Sequence, residues 1–204
     1  MQHLTSRLAI PCLAQAHNNQ FDPAAAAFFY RRCQELKIRM IIITRHSAYS
    51  CPVARRIYDD LARTGSPVAW RLRSVQRDTI EKLWKRANAP SGSDARQGLP
   101  ERCDKIWFCN TFCGGNAKTR NGNDNIWDMI ASFNMYDSMA LLAAIPALRA
   151  QYFDPVVKNV DGVDHLVIGA SAQETGIGNP AALLSFMEDG FLKGLLRNHK
   201  VRLL

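Results

Sequence analysis

The apolar run Ile38–Thr44 (IRMIIIT) is almost unbroken and rich in β-branched residues, the pattern of a strand covered on both faces in a parallel sheet. Ahead of it, Asp22 to Leu36 has helical periodicity. Asp22 suits an N-cap, Pro23 the first helical position and the alanine run the interior, with Phe28, Phe29, Cys33 and Leu36 available for a buried stripe. After it, TRHSAYSC is expected as a loop at the strand's carboxyl end, where open α/β sheets place their ligands. Pro52–Thr64 is expected as a helix ended by Gly65, and Ser74–Ala87 as another with Ile80, Leu83, Trp84 and Ala87 turned inward.

Further along, 89–102 is a Pro/Gly/Ser-rich loop, and KIWFCNTFCGG is apolar and aromatic until its paired glycines. The polar stretch KTRNGNDN lacks the P-loop spacing, so it is not expected to cradle phosphate. Ile126–Phe133 and Asp137–Leu148 are predicted helices, the second N-capped by Asp137. Val156–Val160 and Val163–Gly169, joined by Asp161-Gly162, form a strong β-hairpin signal, and Pro180–Leu196 is a closing amphipathic helix. Buried strand alternating with helix, followed by a late hairpin, indicates the α/β class: an open, mainly parallel sheet flanked by helices, in one domain over residues 1–204.

Composition narrows the picture. No apolar run approaches the ~20 residues that span a bilayer, so no membrane partner is expected. The six cysteines are too scattered for a stapled scaffold in a chain of this size, which points to reduced thiols in a cytoplasm-like compartment. Cys103, Cys109 and Cys113 match no standard zinc spacing. The formal charge of +8 lies largely on predicted helices as solvated faces; with no reading motif beside it, nucleic acid is not expected as a partner.

Two stretches carry candidate chemistry. AHNNQFDP holds the carboxamides of Asn18 and Asn19 at a loop edge before a helix start, where they could grip a hydroxylated ligand or simply form a turn. FNMYDSMALLAAIP places Asp137 at a loop-to-helix junction, as a cap or as one oxygen ligand of a hard cation. His46 and Tyr49, after the buried strand, could edge a pocket; His165 lies in the hairpin with no evident carboxylate partner.

Read together, these stretches resemble the nucleoside hydrolase family. An asparagine four residues before an Asp-Pro-x-Ala-Ala helix start (Asn18, Asp22-Pro23, Ala25-Ala26), the buried strand IRMIIIT, the pair Tyr136-Asp137 opening an apolar helix, and the hairpin occur in the family's order. AHNNQFD, ITRHSAYS, LWKRA and CDKIWFCNTFCGG are most similar to the nucleoside-hydrolase-like type III effectors of plant-pathogenic bacteria. The resemblance implies hydrolysis of the N-glycosidic bond of a ribonucleoside. A Ca2+-bound water, deprotonated by an aspartate, attacks the anomeric carbon through an oxocarbenium-like state. It assigns ribose binding to Asn18, base-side contact to Tyr136 and calcium ligation to Asp137. Tyr136 stands where several members have histidine, and a phenol is the poorer acid near neutrality. Ala16 stands where the family has a glutamate.

The aspartate-rich motif Asp-x-Asp-x-x-x-Asp-Asp, which supplies the family's calcium site and base, has no match in this sequence. The chain is thus expected to correspond to the C-terminal half of the fold and to be inactive alone, with no catalytic residue assignable. It would bind a nucleoside or another ribosylated small molecule, or serve as a degenerate scaffold recognising a host protein. Half a sheet would also expose an apolar edge and favour self-association. Membership of the effector branch would imply delivery into host cells.

Overall fold

The computed structural model describes Asn19, residues 22–115 and residues 125–201, with side chains to residue 196. Asn18 and Ala16 lie outside the described residues. By backbone proximity the chain divides into two compact units. Unit 1 takes the described residues up to Cys51 and those from Met135 to Leu183; unit 2 takes Pro52–Asn134 and the chain from Leu184 onward.

Unit 1 begins with helix α1, Pro23–Glu35, where the Asp22 carboxylate accepts the Ala25 N–H at 2.9 Å as the sequence pattern requires. Strand β1 is only Ile41–Ile43, and Arg45–Ser50 is not a loop but a short helix, α2. Thr44 starts α2: its hydroxyl accepts the His46 N–H at 3.2 Å, and no glycine or proline interrupts the six residues that follow. Unit 1 resumes with α7 (Tyr136–Ala144) and α8 (Pro146–Tyr152), then the hairpin strands β4 (Val156–Val160) and β5 (Val163–Ile168). Asp161 and Gly162 both have positive φ, 50° and 76°, as a two-residue hairpin turn that follows the strand twist demands.

The sheet order is β1-β5-β4. β1 runs parallel to β5 (Ile41 beside Leu166, Ile43 beside Ile168), while β4 and β5 are antiparallel. The chain is therefore α/β, but the sheet formed by the described residues is small and mixed rather than mainly parallel. β1 is half-buried rather than covered, because no described strand pairs with its far edge.

α1 also turns a different face inward. Phe28, Phe29 and Leu36 are exposed, while Cys33 and Gln34 are buried and Tyr30 packs with Ile42 and Val160. The cause sits on β5. His165 is wholly buried, its Nδ1 accepts the Met40 N–H at 3.1 Å, and its Nε2 lies 3.2 Å from the Gln34 carboxamide. A buried polar ring needs such a partner, and α1 rotates to supply it.

Unit 2 contains the antiparallel pair β2 (Val53–Ala54) and β3 (Ser132–Phe133) and the helices α3 (Arg56–Arg63), α4 (Pro67–Asn88), α5 (Lys105–Phe112) and α6 (Ile126–Met129). α4 starts seven residues before the expected Ser74, because Pro67 is a good first helical residue rather than a breaker. Its core is aromatic: Trp84, Phe108, Phe112, Phe133 and Trp127 follow one another at centroid distances of 5.0 to 6.2 Å. Arg96, in the one-turn 3-10 helix Asp94–Arg96, is buried and donates to the carbonyls of Ala87, Glu101 and Cys103. It thereby pins the loop that composition alone marks as irregular. The closing helix α9, Pro180–Val201, has Asn179 accepting the Ala182 N–H at its start. Cys33, Cys51, Cys103, Cys109 and Cys113 are buried.

Candidate functional site

The carboxyl ends of β1 and β5 are tied together by hydroxyls. The Thr44 hydroxyl donates to the Gly169 carbonyl at 2.6 Å, and the Thr44 N–H donates to the Ile168 carbonyl at 3.1 Å. Ser47 Oγ lies 2.7 Å from the Ile168 carbonyl and 2.9 Å from that of Thr175, which share its one proton. This close approach requires Gly169, at φ 87°. A Cβ there would stand 2.5 Å from the Thr44 hydroxyl and closer still to that of Ser47.

On this platform α2 presents Arg45 and Tyr49, one helical turn apart, and the first turn of α7 presents Tyr136 and Asp137. Tyr49 and Tyr136 lie close to each other and are partly exposed, at 48% and 38%. Burial pushes the Tyr136 phenol well above its ordinary range. The contact with Tyr49 adds to the shift, and the nearby Arg45 cation opposes it. Tyr136 therefore stays protonated across the physiological range. It can donate a hydrogen bond but cannot act as a base.

Asp137 is exposed and does not cap its helix. The N-cap is Met135, and Asp137 occupies the first turn, where a carboxylate favours the positive end of the helix dipole. The expected capping role is corrected accordingly: α7 starts one residue earlier than the pattern suggested, and this moves Asp137 inside it. Among the described residues, no group of three or more His, Cys, Asp or Glu side chains gathers to hold a metal ion. One carboxylate does not satisfy the six to eight oxygen ligands of Ca2+, so the described residues do not fit that ion unaided.

The structure brings Tyr136 and Tyr49 together, keeps Asp137 beside them in sequence, and leaves Asn18 outside the described residues. The neighbouring Asn19 is half-buried, its side-chain amide donating to the Tyr30 hydroxyl at 3.3 Å. Arg45 was not legible as a site residue while its segment read as a loop; the helical i, i+4 spacing to Tyr49 was the available signal. His165, wholly buried between Gln34 and Met40, is a structural histidine.

Comparison with known proteins agrees with the effector branch. No family model matches the sequence, and no curated protein is significantly similar to it. Among solved structures, the type III effector protein XopQ, complexed with adenosine diphosphate ribose, superposes with a TM-score of 0.69 at 31% identity over 89% of this chain and 47% of that one. The effector protein XOO4466 does so with a TM-score of 0.66 at 28% identity, with the same coverages. The structural neighbours of this chain are thus nucleoside-hydrolase-like type III effectors, and the chain spans about half the length of each.

Proposed function

We propose that this chain is a nucleoside-hydrolase-like effector fold that binds a ribosylated small molecule at the carboxyl ends of β1 and β5 and does not turn it over by itself. The observation that carries this reading is the Tyr49–Tyr136 pair beside Arg45, set on the hydroxyl-tied platform. Two phenols and a guanidinium suit a ligand with hydroxyls and negative charge. The adenosine diphosphate ribose bound to XopQ supports the ligand class. Asn18 would contact ribose and Asp137 would contribute one oxygen to a calcium site completed by carboxylates from elsewhere. Tyr136, held protonated, does not serve as the general base. Effector neighbours support delivery into a host cell as the setting.

Calorimetric titration with adenosine diphosphate ribose and with adenosine tests the proposal, alongside chromatography for free base. Saturable binding without base release is the expected result. Tyr136→Phe should weaken binding about three- to tenfold, the loss of one hydrogen bond worth about 1 kcal/mol. No binding at millimolar ligand would overturn the binding role, and release of base by the chain alone would overturn its inactivity. A scaffold that recognises a host protein instead would show the first of these results.

A further inference from the structure

The described arginines of unit 1 are Arg31, Arg32, Arg39, Arg45 and Arg149, and all but one are engaged. Arg31 and Arg32 pair with Glu35, Arg39 donates to the Asp164 carbonyl, and Arg149 donates to that of Ala143. Arg45 is exposed, and among the described residues its guanidinium has neither a hydrogen-bond acceptor nor a carboxylate within ion-pair distance. Asp137, beside Tyr136 in sequence, does not neutralise it.

This unpaired cation stands where open α/β sheets place their ligands. Only Thr44 separates Arg45 from the carboxyl end of β1. Its helix is held in place from below, since Thr44 and Ser47 bond the carbonyls of Gly169, Ile168 and Thr175. Tyr49 follows one helical turn later, and Tyr136 is near enough for the Arg45 charge to act on its phenol. A phenol hydroxyl bonds a ribose hydroxyl and a phosphate oxygen alike, so the two tyrosines do not tell these groups apart. A guanidinium does, because its charge and planar fork match two oxygens of a phosphate.

We propose that Arg45 is the specificity-determining residue of this site: it pairs with a phosphate carried on the ribose of the bound molecule, so that the site takes nucleoside phosphates in preference to free nucleosides. This role rests on the proposed function and narrows its ligand class from ribosylated molecules in general to their phosphate esters. The formal charge of +8 on the chain favours the same anions at longer range.

Calorimetric titration of the full chain with adenosine, adenosine 5′-monophosphate and adenosine diphosphate ribose measures the preference. The wild-type chain is expected to bind each phosphate at least about tenfold tighter than adenosine, the worth of a hydrogen bond to a charged group. Arg45→Gln should keep the native circular dichroism and shrink that ratio to about twofold or less, because a carboxamide offers no charge. Tyr136→Phe, in contrast, should weaken all three ligands and keep the ratio. Added salt should narrow the wild-type ratio. Should Arg45→Gln fail to fold, this salt dependence decides, and a ratio unmoved by salt overturns the role. Equal wild-type affinity for all three ligands would overturn it too, while leaving the binding function standing. So would a preference that survives Arg45→Gln. Binding of none of the three would overturn the proposed function itself, and this role with it.

Discussion

The buried imidazole of His165 is neutral because burial disfavours its charged form, and this sets a pH dependence. Its folded pKa lies below the ordinary value of about 6.5. The unfolded chain therefore binds more protons at this position once the pH falls under about 6.5. The contribution is complete above that pH and is lost as the pH falls through the lowered folded value, at no more than about 1.4 kcal/mol per pH unit for one proton. Urea midpoints between pH 7.5 and 5.5 should fall for the native chain and fall less for His165→Gln, which removes the titrating ring. Gly169 makes a steric prediction. Gly169→Ala combines an unfavourable φ with the clash against Thr44 and Ser47, and should cost about 3 kcal/mol, lowering the thermal midpoint by about 6–12 °C. An unchanged midpoint would mean that the hydroxyl ties between β1 and β5 are looser than described. Neither position was legible in its role. The sequence shows a histidine and a glycine in or beside a hairpin, but not that α1 turns Gln34 toward one or that α2 presses on the other.

Elements were legible where the signal is local. The Asp22-Pro23 start of α1 and the Asp161-Gly162 turn each contain their own determinants and were read within a residue or two. Elements whose identity depends on distant chain were not: β2 exists because Val53 pairs with Phe133, eighty residues away in sequence. The same holds for the ion cluster joining α3 and α4. Asp59 lies 2.6 Å from both Arg55 and Arg73, and Arg55 sits over the Trp127 ring. Burial works against the Asp59 carboxylate, but hydrogen bonds and charge from Arg73 and Arg55 outweigh it and hold the carboxyl below its usual range. Its contribution is thus present above pH ~4 and lost as the pH falls through the lowered folded value. Asp59→Asn should destabilise the chain by about 1–2 kcal/mol at neutral pH, seen as a lower urea midpoint with an unchanged slope.

At the scale of the whole molecule, the ordered motifs from Asn18 to the hairpin pointed to the same nucleoside-hydrolase-like effectors as the structural neighbours, even though no single motif was specific. Among the described residues no strand pairs with the far side of β1. What the sequence could not convey is the partition of the chain, because unit 1 is assembled from segments separated by more than eighty residues. The aromatic core of unit 2 has a practical corollary. All four tryptophans (Trp70, Trp84, Trp107 and Trp127) belong to unit 2, and unit 1 has none. Indole emission excited at long wavelength consequently reports the melting of unit 2 and is silent about the fold around Tyr136. A tryptophan introduced into unit 1, at the exposed position Phe28, would give that half an optical voice of its own.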